Sequence, residues 1–221
     1  MKAVCITGAN SGLGKALSEA FHSKGYFIHL VGRNKQSLEE VKQQLPNSDS
    51  ILCDLSLQEN VESLFTHLSL EHPVEIFINN AGIGCFGPLK EVTREALERT
   101  FQVNTLAPIL LAKHYLDYCV GKPFTPQIIN IISTAGLRGK VNESVYAASK
   151  FALRGFGESL QKEYEGSARV VNAYMGGMNT PFWENSSHVA DPSRFRTPKE
   201  VADWIAAHHE TEDTIILESK K

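Results

Sequence analysis

A chain of 221 residues suits one large domain or two small ones. Hydrophobic residues make up 42%, enough for a sizeable core, and the formal net charge of -3 offers no basic surface to nucleic acid or an anionic membrane. No apolar run approaches the roughly 18 residues a membrane span needs, and Met1–Gly8 lacks the charged n-region and long apolar stretch of a secretion signal.

The first predicted element is a strand over Ala3–Ile6. It runs straight into Thr7-Gly8-Ala9-Asn10-Ser11-Gly12-Leu13-Gly14 and then a helix over Leu13–Ser23. In a strand–loop–helix setting, such glycines permit a tight turn, close backbone approach to a pyrophosphate and close helix–strand packing. The helix N-terminus meanwhile offers free N–H groups to phosphate. A second strand, Phe27–Val31, ends at Gly32-Arg33. An NAD site places an acid there and an NADP site an arginine, so the missing carboxylate and the presence of Arg33 favour NADP(H) over NAD(H).

A third strand is expected over Ser50–Cys53, followed by Asp54 and a helix over Leu57–Leu70 opened by Ser56 and Glu59, an S-x-x-E capping box. With Ser56 engaged as cap, Asp54 is left free for a ligand. The fourth strand, Glu75–Ile78, leads into Asn79-Asn80-Ala81-Gly82. A fifth strand is read over Gln127–Ile132, with Ser133 at its end. Then come Tyr146 and Lys150 at Y-x-x-x-K spacing, on one helix face. A nearby ammonium favours the phenolate, so Lys150 is expected to lower the Tyr146 pKa. That spacing alone is weak evidence, because Tyr118 and Lys122 repeat it just where Gly121 and Pro123 end a helix. A sixth strand, Arg169–Ala173, a helix over Pro198–His208 capped by Thr197 and Glu200, and a seventh strand, Thr214–Leu217, complete the alternation.

Apolar runs rich in Val and Ile, alternating with helices, predict a parallel sheet covered on both faces: one doubly wound α/β domain over residues 1–221. The Pro-bearing stretches Gly121–Pro126 and Gly177–Thr197 read as loops within it. Cys5, Cys53, Cys85 and Cys119 show no C-x-x-C pair, so buried reduced thiols in a cytoplasmic protein are expected, with no zinc site or disulfide framework. His208-His209, near a helix end, reads as solvated or facing the helix dipole.

The leading Thr7 with its G-x-x-x-G-x-G loop, the N-N-A-G of residues 79–82 and Tyr146…Lys150 together resemble the short-chain dehydrogenase/reductase family over nearly the whole chain. The resemblance implies a Rossmann-like fold of seven parallel strands and a nicotinamide-dependent oxidoreductase acting on carbonyls and alcohols. By position it implies Asn104, Ser133, Tyr146 and Lys150 as the catalytic group. Ser133 would bond the substrate oxygen, Tyr146 would be general acid/base, Lys150 would tune it and hold the nicotinamide ribose, and Asn104 would anchor a relay water. It further implies cofactor contacts from Gly8, Asn10, Ser11, Gly12, Leu13, Gly14, Arg33, Asp54, Leu55, Asn80, Ala81, Gly82, Tyr146, Lys150 and Thr180. The family's Pro-Gly after the sixth strand is Met175-Gly176 here, with an extra Gly177.

Loops after strands four, five and six bring Phe86, Leu137, Arg138, Met178, Phe182 and Trp183 to a mostly apolar substrate pocket, with Met175–Arg196 as lid. A non-catalytic NADP(H)-sensing protein is the alternative; a sugar-nucleotide epimerase would need a larger C-terminal part. The resemblance also implies at least a homodimer, or a homotetramer, through helices around Leu106–Tyr118 and Phe151–Tyr164, with a small-molecule substrate as the other partner.

Overall fold

The computed structural model describes residues 1–68, 71–184, 186 and 188–219. Seven parallel strands form one sheet: β1 (Ala3–Thr7), β2 (Phe27–Gly32), β3 (Ser48–Leu52), β4 (Val74–Asn79), β5 (Gln127–Ser133), β6 (Arg169–Met175) and β7 (Thr214–Leu217), in the order β3-β2-β1-β4-β5-β6-β7. All seven expected strands are present. All seven match the expected bounds within two residues at either end. The strand displaced at both ends toward the N-terminus is β3, which begins two residues and ends one residue earlier than expected, its polar Ser48-Asp49-Ser50 pairing with Ile28-His29-Leu30 at the sheet edge.

Alternate side chains of each strand point to opposite faces. Val4, Ile6, Ile28 and Leu30 pack under helices α1 (Gly12–Ser23), α2 (Lys35–Gln44) and α7 (Pro198–His208). Cys5, Val31, Phe77 and Ile128 pack against α3 (Gln58–Ser63), α5 (Ala107–Cys119) and α6 (Ser144–Glu163). Between β4 and α5 lies α4 (Arg94–Phe101), joined to α5 by a π-helical turn at Gln102–Leu106. Pro108 has no N–H to return to Asn104, and the Ala107 N–H instead reaches back to the Gln102 carbonyl.

The expected capping of the third helix does not form. Leu57 occupies the cap position with no side-chain bond, while the Ser56 N–H and hydroxyl both donate to Asp54 Oδ1, at 2.9 and 2.7 Å. Asp54 outcompetes the helix for Ser56 because an aspartate readily accepts from the residue two positions on. The helix is correspondingly short, passing into a 3₁₀ turn at Leu64–His67, and its expected end at Leu70 lies outside the described residues. The α7 capping box between Thr197 and Glu200 forms as expected. His208 is half-buried and stacked on Trp204, and His209 is buried, its Nδ1 3.0 Å from Gln127 Oε1, so of the two only His208 reaches solvent.

The sheet order reverses between β1 and β4, where doubly wound folds open a crevice at the carboxyl ends of the strands. Among the described residues no helix is long and apolar enough to cross a membrane.

Candidate active site

A cleft of about 920 Å³ opens at this crevice. One end is built by the glycine loop. Gly8 and Gly12 have φ of +67° and +52°, and a Cβ on Gly14 would lie 2.1 Å from the Gly8 carbonyl oxygen. No larger residue fits Gly14 without moving α1 off its strand. Ser11 caps α1 without a side-chain bond, whereas Asn34, Thr93 and Thr197 do cap α2, α4 and α7. The first-turn N–H groups of α1 thus remain available to an anion.

The loop is pinned to the end of β4. Thr7 Oγ1 accepts from the N–H groups of Asn80 and Ala81 at 3.0 and 3.1 Å, and Asn80 Nδ2 donates to the Thr7 carbonyl at 2.8 Å. The two motifs are halves of one hydrogen-bonded unit. At the end of β2 a Cβ on Gly32 would meet Asn10 Oδ1 at 2.9 Å. A side chain there would need Asn10 to swing aside. Arg33, exposed on the cleft wall, pairs with no acid at ion-pair distance among the described residues, though its field helps hold Asp54 below the ordinary carboxylate range. The larger cause is the Ser56 N–H bonded to Asp54, so Asp54 is not the unengaged acid the sequence suggested.

At the other end Ser133, Tyr146 and Lys150 line the same cleft. Ser133 closes β5, and its hydroxyl hydrogen-bonds the Tyr146 side chain while Ser133 Oγ accepts from the Ala135 N–H at 3.0 Å. Lys150 lies one turn after Tyr146, its Nζ 6.0 Å from the tyrosine ring centre and donating to the Ile131 carbonyl at 3.1 Å. Burial pushes Tyr146 up to about 12; the Ser133 hydrogen bond pulls it down and the Glu143 charge pushes it further up. Burial also depresses Lys150 to about 8. This corrects the expectation that Lys150 lowers Tyr146: desolvation disfavours the charged form of both side chains and outweighs their mutual influence.

Asn104 is fully buried and does not line the cleft. Its Oδ1 accepts from the Ile83 N–H at 2.8 Å, and its Nδ2 donates to the Ile83 carbonyl and Ser149 Oγ. It ties the loop after β4 to α6, using the π-helical turn to face inward. The cleft is also lined by Gly8, Asn10, Ser11, Gly12, Leu13, Gly14, Asp54, Leu55, Asn80, Ala81, Gly82 and Thr180.

Residues 2–190 match the family described as short chain dehydrogenase. The chain belongs to the short-chain dehydrogenase family. It is 30% identical over 229 residues to YxnA, an uncharacterised oxidoreductase of Bacillus subtilis strain 168, covering 96% of this chain and 64% of that protein. The chain thus spans just under two thirds of that relative. Its fold superposes with a TM-score of 0.89 on a short-chain dehydrogenase from Sphingobium yanoikuyae in complex with NADPH, at 25% identity over 98% of this chain and 87% of that one. A 4-hydroxyisoleucine dehydrogenase mutant complexed with NADH and succinate gives 0.87 at 25% identity, over 99% and 98%.

The departure from the short-chain dehydrogenase pattern after β6 has a structural answer. Met175 stays in the strand, paired with Ser133 and Leu217, so rigidity comes from the ladder instead of a proline. A Cβ on Gly176 would meet the Ser219 N at 2.3 Å, and one on Gly177 the Phe195 ring at 3.0 Å. The chain beyond β7 and the far end of the lid both close onto this diglycine. Met178, Phe182, Trp183 and Phe86 line the cleft as expected. Leu137 and Arg138 do not: Leu137 packs on Ile132, Leu153 and Tyr174, and Arg138 turns outward to Glu218 at 2.8 Å. Cys5, Cys53 and Cys119 are buried free thiols, while Cys85 lines the cleft half-buried. Unforeseen by any motif are Glu143 and His188, paired at 2.8 Å in the cleft wall.

Proposed function

We propose that the chain is an NADP(H)-preferring reductase that interconverts a carbonyl and an alcohol. The observation that carries this reading is the convergence of Ser133, Tyr146 and Lys150 on the cleft that the glycine loop opens. A dinucleotide fits the residues present. Gly8 and Gly12 leave backbone partly exposed beside the α1 N-terminus and Gly14 lets that helix pack close, with Asn10, Ser11 and Leu13 around it, suiting a pyrophosphate. Arg33 suits a ribose 2′-phosphate, and Asp54 and Leu55 an adenine. Asn80, Ala81, Gly82, Tyr146 and Lys150 suit the nicotinamide ribose, and Thr180 the carboxamide.

A bound nicotinamide supplies or takes the hydride. The chain's own part is the proton. Ser133 and Tyr146 hold the carbonyl oxygen, and the Tyr146 hydroxyl gives its proton to that oxygen as negative charge develops there. In the reverse direction the phenolate takes the proton back. Lys150, one turn further along the same helix face, holds the ribose. Asn104 fixes the wall behind them, its side-chain amide engaged by Ile83 and Ser149 instead of by a relay water.

NADPH should raise the melting temperature more than NADH does, and NADPH should be consumed with at least one ketone or aldehyde of a panel. Preference for NADH would overturn the Arg33 assignment. Tight NADPH binding without turnover of any carbonyl would make the chain a nucleotide sensor instead. Leu97, Leu106 and Phe151 are exposed apolar residues on α4, the π-helical turn and α6, which supports a homodimer or homotetramer formed through α5 and α6. A monomeric mass by light scattering would refute it. The free thiols fit a reducing cytoplasm.

A further inference from the structure

The substrate end of the cleft is rich in aromatic rings, and a carboxylate–imidazole pair lies among them. Glu143, at the start of α6, lies one turn before Tyr146 on the same helix face, and both line the cleft. Glu143 is 5% exposed, and its Oε1 lies 2.8 Å from His188 Nε2. The His188 ring is itself stacked on Phe86, 4.7 Å between centres and 6° between planes. Two loops that are distant in sequence thus converge beside the proton-donating tyrosine. The neighbouring Lys140 stays 4.0 Å from Glu143 Oε2, so that oxygen receives no direct hydrogen bond among the described residues.

A buried carboxylate is costly unless hydrogen bonds satisfy it, and an ionised one can accept several. Beside Phe86, Phe182 and Trp183, this acceptor on the cleft wall offers a place for a donor from the substrate. Residues one turn apart are about 5–6 Å apart at Cβ. That span suits a carbonyl oxygen held at Tyr146 and a hydroxyl on the adjoining carbon reaching Glu143. We propose that Glu143 and His188 form a hydroxyl-binding subsite, so that the preferred substrate is a ketone or aldehyde with a hydroxyl on the carbon next to the carbonyl. His188 orients the carboxylate, and the stack on Phe86 fixes His188. An ammonium group offers the same donors but would face Lys140 and His188, which favours the neutral hydroxyl. The proposal rests on the reductase reading above.

The experiment compares kcat/KM, with NADPH, for 2-hydroxyacetophenone and 2-methoxyacetophenone. The methoxy ketone keeps the electron-withdrawing oxygen and the ring but has no donor. The wild-type protein should prefer the hydroxy ketone by roughly 10- to 100-fold, the range of a hydrogen bond to a charged group. Glu143→Gln should shrink that ratio several-fold, and so should His188→Phe, which keeps the ring on Phe86 and leaves α6 untouched. Equal rates on the two ketones, a ratio unmoved by both variants, or a preference for 2-aminoacetophenone would overturn the subsite while leaving the reductase standing. Failure to turn over any ketone would remove both.

Discussion

Tyr146 and Tyr118 carry the same spacing to a lysine, and their surroundings separate them. Tyr118 accepts the Val74 N–H at 3.3 Å and lies under Lys122, 4.8 Å from its ring centre. It is not part of the cleft. Tyr118→Phe should keep turnover and lose about 1 kcal/mol of stability with the hydrogen bond, measured by urea unfolding. Lys150 makes a sharper residue-scale test, because burial moves it from 10.5 to about 8. Below about pH 8 both folded and unfolded chains keep its proton and the burial penalty stands in full. Between about 8 and 10.5 only the unfolded chain keeps it, so stability from this residue rises with pH. Relative to Lys150→Met, the wild-type protein should gain up to about 3 kcal/mol from pH 7 to pH 10.5. A difference independent of pH would mean that Lys150 is not desolvated. Tyr146, pushed up to about 12, stays protonated at neutral pH and is ready to donate. Alcohol oxidation, which needs the phenolate, should therefore accelerate steadily as pH rises from 7 toward 10, seen in a kcat/KM profile.

At the scale of elements, the β1–α1 junction decides whether the cleft exists. Gly14→Ala places a methyl against the Gly8 carbonyl oxygen, 2.1 Å away before anything moves. It should cost about 2 kcal/mol or more and abolish the thermal shift given by NADPH. The elements were legible where both faces of a strand are buried, since β1 is then apolar over Ala3–Ile6, β4 over Ile76–Ile78, and β5 over Ile128–Ile132 with Asn130 alone interrupting. Their polar ends, Thr7, Asn79 and Ser133, carry no such signal, yet the ladder includes them. The short third helix was misread because Ser56 had two suitors, and the nearer one, Asp54, wins. The π-helical turn that aims Asn104 inward follows from Pro108, a residue tolerated equally well at a plain helix start. Ser133, Tyr146 and Lys150 were readable because their order and spacing lie within one strand–helix unit. Glu143 and His188 come together only through the folding of a loop back onto α6, and the outward turn of Arg138 toward Glu218 depends on the chain beyond β7.

Across the whole molecule, the cleft runs from Arg33 on one side of the strand crossover to the aromatic wall on the other, and both ends close onto the glycines that follow β1 and β6. The central claim is that this cleft binds a nicotinamide dinucleotide independently of the tyrosine that moves the proton. Tyr146→Phe tests it most directly, since Phe keeps the ring against Phe86 and Phe182 and removes only the hydroxyl. NADPH affinity by titration calorimetry should stay within about threefold of wild type while carbonyl reduction falls by at least about a hundredfold. Reduction at the wild-type rate by Tyr146→Phe, with the cofactor bound, would contradict the account.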